Sequence, residues 1–147
     1  MKEKCKKRFF LFAAPLVFAL SLFGAYLFKG EDATPHPATL EIRYRHCDNA
    51  LAAEIPQSAF DATLGSTPCR VLAVRKEPTR CAEQKNGSLL YYDSLLFSDV
   101  IFTVSAEVTL REEMAYASDD FLSPGKRVTL CSPVFYGECD IISLKVG

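Results

Sequence analysis

Histidine is scarce in this chain, with only His36 and His46 among 147 residues. A catalytic nucleophile of the serine or cysteine type needs a base that a third group orients. His36 lies between two prolines, which is typical of a solvated linker. His46 follows Leu40, Ile42 and Tyr44 with a period of two, which predicts packing at a strand end. The shortage of histidine therefore disfavours nucleophilic catalysis, and we predict no catalytic residue.

Closely spaced cysteine pairs are also missing. Zinc sites favour Cys-x-x-Cys pairs, because two ligands must reach one tetrahedral ion from a single turn. None of the six cysteines forms such a pair, so we predict no metal-binding or cofactor-binding residue. Cys5 precedes the apolar segment described below. Five cysteines follow that segment: Cys47, Cys69, Cys81, Cys131 and Cys139.

Disulfides are expected if this part of the chain is exported to an oxidising compartment. Cys131 and Cys139 flank a connection between two predicted strands, so they are the candidate pair. The alternative is that several cysteines are small buried apolar side chains. An odd number also leaves at least one free thiol or an intermolecular link.

The larger part of the chain lacks an excess of positive charge. Residues 1–29 hold six basic residues and one acidic residue, a net charge of +5, whereas the remainder holds 11 basic and 17 acidic residues, a net charge of −6. Nucleic acids and anionic lipid surfaces are bound by clustered basic side chains. This balance argues against both as partners of the larger part.

Two short motifs lack the context that their chemistry requires. The Gly125-Lys126 dipeptide is not a phosphate-binding loop, because Arg127 and a predicted strand follow it instead of Ser or Thr and a helix. We expect Pro124-Gly125 to be a turn. The acidic pairs Glu112-Glu113 and Asp119-Asp120 do not match a calcium loop, and we expect them to face solvent.

A long uncharged segment is the clearest positive feature. Residues 9–28 carry no charge, and as a helix they would span about 30 Å, the thickness of a hydrocarbon core. Basic residues precede the segment, which places residues 1–8 in the cytoplasm. We predict a cytoplasmic basic tail (1–8), an uncleaved transmembrane helix (9–28), a linker (29–38) and an extracytoplasmic β domain (39–147). The alternative is a signal peptide cut after Ser21.

The last 109 residues show the alternation typical of β-strands. Apolar residues recur every second position from Val100 to Leu110, with Ile101 as the exception, and residues 40–46 show the same period. Short aliphatic runs at 69–76, 127–131 and 139–146 predict further strands. Residues 77–87 are expected to form a loop that contains an Asn-Gly turn, and the connectors 51–65 and 112–125 either turn or form a helical turn. The fold class is mostly β, a small β-barrel or sandwich-like domain.

An internal duplication is suggested by similar residues in the two halves of the domain. Each half has a strand, an acidic connector, a Phe and Gly segment and a short strand that begins with Cys, and an extra hairpin arm precedes the second Cys. The matched residues are Phe60 with Phe121, Gly65 with Gly125 and Cys69 with Cys139. The domain is therefore expected to comprise two related halves.

The order of these parts resembles the bacterial membrane-anchored proteins grouped as domain of unknown function 4330. The resemblance covers nearly the whole chain and follows the layout, "RVLAVRKEP" and the final "SPGKRVTL…GECDIISL". This chain has Cys69 and Cys139 where that family has glycine. The resemblance implies a β-rich domain outside the membrane, with no established activity and no catalytic residues.

The expected function is that of a single-pass protein of the cell membrane whose outer domain is a binding or assembly module rather than an enzyme. Tyr91-Tyr92 and Phe135-Tyr136 are candidates for an aromatic contact surface, although half of them are expected in the core. The expected partners are the lipid bilayer, through residues 9–28, and a membrane or cell-envelope protein. A membrane-tethered enzyme that uses a thiol or carboxylate, or a secreted domain, are the alternatives.

Overall fold

The computed structural model describes residues 34–147. The predicted basic tail, the predicted membrane helix and the first part of the predicted linker lie outside these residues. Within the described part of the chain, no helix has both the length and the apolar character needed to cross a membrane.

The described residues form a mostly β domain, as the sequence predicted. In chain order the elements are β1 (Pro35–Asp48), α1 (Asn49–Glu54), β2 (Phe60–Leu64), β3 (Thr67–Lys85), β4 (Ser88–Arg111), β5 (Met114–Ala117), β6 (Asp120–Leu122), β7 (Arg127–Ser132) and β8 (Phe135–Val146). These eight strands pair antiparallel in the order β1-β8-β7-β2-β3-β4-β5-β6.

The pairing closes on itself because β1 also pairs with β4. Residues Ala38–Arg43 of β1 pair with β8 on one edge, while Pro35–Asp48 pair with β4 on the other. Six strands therefore form a ring, β1-β8-β7-β2-β3-β4. The β5–β6 hairpin continues from the far end of β4 and lies outside this ring.

The core cluster follows the predicted alternation in the ring strands, and it also takes in buried residues of α1 and of the β5–β6 hairpin. Val100, Phe102, Val104, Ala106 and Val108 of β4 are all buried, as are Leu40 and Ile42 of β1. Burial of a side chain of this size contributes about 1.5–3 kcal/mol relative to exposure. Ile101, the exception in the pattern, is buried as well but is not part of this core cluster.

The predicted linker is shorter than expected, because β1 begins at Pro35 and not after residue 38. Pro35 and Pro37 pair with Thr109 and Glu107 of β4, and the pairing of β1 with β8 starts only at Ala38. Proline is tolerated at the start of a strand, where one edge is unpaired and no N–H is needed. The two prolines thus occupy a half-paired strand end instead of a spacer.

The two connectors differ from each other. The first contains α1, whose N-terminus is capped by Asp48, since its Oδ1 accepts a hydrogen bond of 2.8 Å from the backbone N of Ala50. The second forms the β5–β6 hairpin. Glu112 and Glu113, both exposed, have φ of 50° and 66° and make the turn from β4 to β5.

The ring has an exchange symmetry. Swapping β1 with β4, β2 with β7 and β3 with β8 leaves the set of ring pairings unchanged. Cys69 and Cys139 lie on the counterpart strands β3 and β8, each paired with a residue of the strand before, Ala62 and Val128. β2, which contains Phe60, corresponds to β7 and not to the segment around Phe121. The additional hairpin of the second half is therefore β5–β6.

Gly137 of β8 is buried beneath an aromatic cluster. A Cβ at this position would lie 2.8 Å from Cε2 of Tyr44 and 2.9 Å from Cζ of Phe135. The ring of Phe135 also packs on Phe102, with centroids 4.8 Å apart, so it has little room to move. Glycine is therefore required here for space.

We predict that Gly137→Ala lowers the free energy of unfolding by about 1–3 kcal/mol, because the added methyl overpacks the cluster. Urea unfolding followed by circular dichroism measures this. Gly147→Ala is the matched control, since its nearest non-adjacent atom lies at an ordinary 3.6 Å. Equal unfolding midpoints for both variants would contradict the prediction, because they would show that the rings of Tyr44 and Phe135 make room for the methyl group with no loss of stability.

Candidate functional site

Strands β3 and β4 extend beyond the ring as a two-stranded arm, residues 80–93. The pairing of β1 with β4 stops at Phe97 and Ser98, so the arm has no strand on either outer edge in the described part of the chain. Asn86 and Gly87 form its tip with φ of 53° and 79°, which confirms the predicted Asn-Gly turn. The predicted loop at 77–87 is therefore wrong, because nearly all of it is strand.

Both faces of the arm expose apolar side chains. Leu89 and Tyr91 lie on one face, and Leu90 and Tyr92 on the other, since alternate residues of a strand point to opposite sides. All four are exposed, Tyr91 to 65%. The residues opposite them on β3 are two polar ones and two small ones, namely Gln84, Glu83, Ala82 and Cys81. A two-stranded ribbon is only marginally stable in water, and a third strand or a packing partner normally completes it.

A bulge in β4, residues 94–97, separates the arm from the ring. Pro78 pairs with Ser98 and Arg80 pairs with Asp93, so the single residue Thr79 lies opposite four residues. Within the bulge Leu95 is 91% exposed and Leu96 is 69% exposed.

Hydrogen bonds fix the shape of the bulge. The Oγ of Ser94 accepts from the backbone N of Leu96 at 3.2 Å and of Phe97 at 3.0 Å. From α1, the Nδ2 of Asn49 donates to the carbonyl of Leu95 at 2.8 Å, and its Oδ1 accepts from the Oγ of Ser98 at 2.6 Å. The two leucines are therefore presented by a backbone that is held at both ends.

Asp99 attaches the base of the arm to the ring. Its Oδ1 accepts a bond of 2.7 Å from the hydroxyl of Thr79, which is buried, and one of 3.2 Å from the backbone N of His46. These bonds connect β3 and β1 to β4 at the point where the ring ends. A buried hydroxyl without a partner costs about 1–3 kcal/mol, so this contact contributes to the orientation of the arm.

The arm carries no net charge. Arg80 and Lys85 balance Glu83 and Asp93. A neutral apolar surface with free backbone edges suits a protein segment better than an anionic lipid or a nucleic acid, both of which attract basic clusters.

The four predicted aromatic residues divide between surface and core. Tyr91, Tyr92 and Tyr136 are exposed, while Phe135 packs edge-on against Tyr44 with ring centroids 5.2 Å apart. Tyr136 lies on β8 and is not part of the arm. The sequence did not predict the bulge, and the only local signal was the interrupted alternation in "DSLLFSD".

The prediction that His46 packs at the end of a strand is wrong. A register shift between Tyr44 and Cys47 gives His46 a φ of 55° and turns its side chain outward, where its ring lies 6.5 Å from that of Phe97. Cys47 takes the buried position instead. No cluster of three His, Cys, Asp or Glu side chains arranged for a metal ion occurs among residues 34–147.

The predicted disulfide between Cys131 and Cys139 does not form. Both are free thiols; Cys131 pairs with Tyr136 and is exposed, whereas Cys139 pairs with Val128 and is buried. The two are offset by three residues of register, which puts them on opposite faces of the hairpin and about 10 Å apart along the strands. Disulfides need Cα atoms within about 7 Å.

Burial keeps three thiols protonated. It raises the pKa of Cys139 to about 12, with a further contribution from the charge of Asp140, and raises that of Cys69 to about 11. Burial and then the charge of Asp48 raise the pKa of Cys47. A reactive cysteine has a lowered pKa, so these three are not activated nucleophiles.

The remaining predicted segments are structural. Gly125 has φ of 86° and Lys126 donates its backbone N to the carbonyl of Ser123, so Pro124-Gly125 is the expected turn into β7. Asp119 and Asp120 are exposed. A cavity of about 160 Å³ lies beside this turn, with Asp120 and Lys126 in its wall. Small-molecule sites usually exceed about 300 Å³.

Comparison with protein-family models, curated proteins and solved structures finds no match to this chain.

We predict that a maleimide applied at about pH 8 labels Cys131 in the folded protein and labels Cys139 only after unfolding. The raised pKa leaves Cys139 with roughly a thousandfold less thiolate than an unshifted thiol, and burial excludes the reagent as well. Mass spectrometry of peptides from folded and urea-treated samples measures both. If Cys131 were labelled only after reduction, the result would show that Cys131 takes part in a disulfide, contrary to this structure.

Proposed function

We propose that this chain is a single-pass membrane protein whose outer domain, a small barrel of two related halves, binds another protein of the cell envelope. We place the contact on the arm and the bulge. The carrying observation is that Leu95 and Leu96 are exposed on a bulge held by hydrogen bonds, next to Tyr91 and Tyr92 on a neutral ribbon with two unpaired edges. The closed pairing of the ring and its exchange symmetry support the barrel and the two halves.

The proposed occupant is an extended segment of the partner that adds as a strand to the edge of β4 at residues 88–93. That edge offers free backbone N–H and C=O groups for hydrogen bonds to the added strand. The apolar side chains that alternate along β4 would contact the side chains of the partner and determine which segment binds. The arm leaves the ring at the end opposite Pro35, since Pro35 pairs with Thr109 and Asp48 pairs with Phe97. The contact surface thus lies at the end of the domain distant from residue 35.

The other interpretations have less support. A thiol-dependent enzyme needs an activated cysteine, whereas the pKa of each of three thiols is raised by burial. The side chain of His46 lies beside Phe97 rather than in a pocket with a thiol and a carboxylate. Membrane anchorage, the resemblance to domain of unknown function 4330 and the secreted form after cleavage stay predictions.

We expect a photo-crosslinking amino acid at Leu95 or Tyr91 of the full chain, expressed in intact cells, to capture one and the same protein. Glu112, exposed in the turn at the other end of β4, is the control position and should not capture it. Mass spectrometry of the adducts identifies the partner.

The specificity of capture is tested by Leu96→Asp in the chain that carries the crosslinker at Tyr91. A charge in the centre of an apolar contact should lower the yield by about tenfold. Glu112→Lys is the matched surface change and should leave the yield intact. Adducts to lipid, or equal yields from the arm and from Glu112, would contradict the proposal.

A further inference from the structure

Three arginines and one aspartate line a cleft on the outer surface of β1, β8 and β7. Arg43, Asp140 and Arg127 are direct register partners across these three strands, so their side chains form one row. Arg45 adds a third guanidinium. The cleft has a volume of about 420 Å³, and Gly125, Ile141 and Ile142 complete its wall.

A single carboxylate serves this cluster. The Nε of Arg45 lies 3.0 Å from one oxygen of Asp140, and the Nε of Arg127 lies 3.4 Å from the other. Each guanidinium group carries one positive charge and the carboxylate one negative charge. The row therefore carries a net charge of about +2, in a part of the chain whose overall charge is negative.

Arg43 is the arginine in this row that has a buried N–H group without a hydrogen-bond acceptor. Its Nε is buried and has no hydrogen-bond acceptor. A buried charged donor without an acceptor is costly, because the desolvation of the group is not repaid. Asp140 is its register partner but bonds to the other two arginines.

We propose that this cleft binds a phosphate group. A phosphate carries up to two negative charges and several acceptor oxygens, which match two or three guanidinium forks and neutralise the row. Arg43 lines the cleft, and the terminal N–H groups of its guanidinium are the donors it would offer to the phosphate oxygens. The phosphate is either free, part of a soluble ester, or a lipid headgroup, and the chemistry of recognition is the same. This proposal does not depend on the contact surface of the arm.

The test uses the full chain in nanodiscs of phosphatidylcholine, titrated with inorganic phosphate at constant ionic strength and followed by calorimetry and by amide NMR shifts. We expect phosphate, but not chloride, to bind and to shift the amides around Arg43 and Asp140. Discs that contain phosphatidylglycerol distinguish the sources, since a lipid headgroup in the cleft would reduce binding of free phosphate.

Arg43→Gln should weaken phosphate binding by about tenfold or more, because a charge-assisted donor is lost. Arg127→Gln alters an exposed side chain and so keeps the fold; it should weaken binding several-fold. Arg75→Gln is the matched control on β3, where Arg75 already pairs with Glu77 at 3.1 Å, and should bind as the native chain does. Equal responses to phosphate and chloride, or native affinity in Arg127→Gln, would overturn the proposal.

Discussion

Strand β1 determines the arrangement of the domain, because both of its edges are hydrogen-bonded. It pairs with β8, the last strand of the described chain, on one edge and with β4, the longest strand, on the other. Without it the six-stranded ring would open, and unpaired edges invite association with other chains. The same strand also sets where the ring ends. The chain turns into α1 after Asp48, so β1 no longer pairs with the part of β4 that precedes Phe97. That part of β4 forms the bulge and one strand of the arm.

Sequence alternation predicted those elements that bury one face only. From Val100 to Val108 every second residue enters the core, so the period of two is unmistakable. The arm escaped prediction for a physical reason. Both of its faces are in solvent, so no burial enforces alternation, and the four-residue bulge interrupts the phase before the core segment begins. The positive φ of His46 has the same effect in β1, where one irregular residue exchanged the inward and outward positions.

The cysteines show a second limit of sequence reasoning, which is the register of a hairpin. A spacing of eight residues suggested that Cys131 and Cys139 face each other. The turn, however, occupies only Pro133 and Val134, since Ser132 pairs with Phe135. Register in a hairpin follows from the turn, and a shift of one residue moves a side chain to the other face. One thiol is thereby exposed and the other enters the core, and the burial of Cys139 then accounts for its raised pKa.

The candidate contact surface depends on the ring through polar side chains rather than through the core. Asn49 and Asp99 bond to the bulge and to Thr79, and each belongs to a segment that the ring fixes: α1 follows β1 directly, and Asp99 precedes the buried run of β4. Ordering a contact surface before binding reduces the entropy that association must cost. A free ribbon would lose this order, whereas a bulge held by α1 and β1 keeps its leucines exposed in a fixed position. The bulge is thus the part of the proposed contact surface that the ring holds in place, while the ribbon beyond it depends on its own two strands.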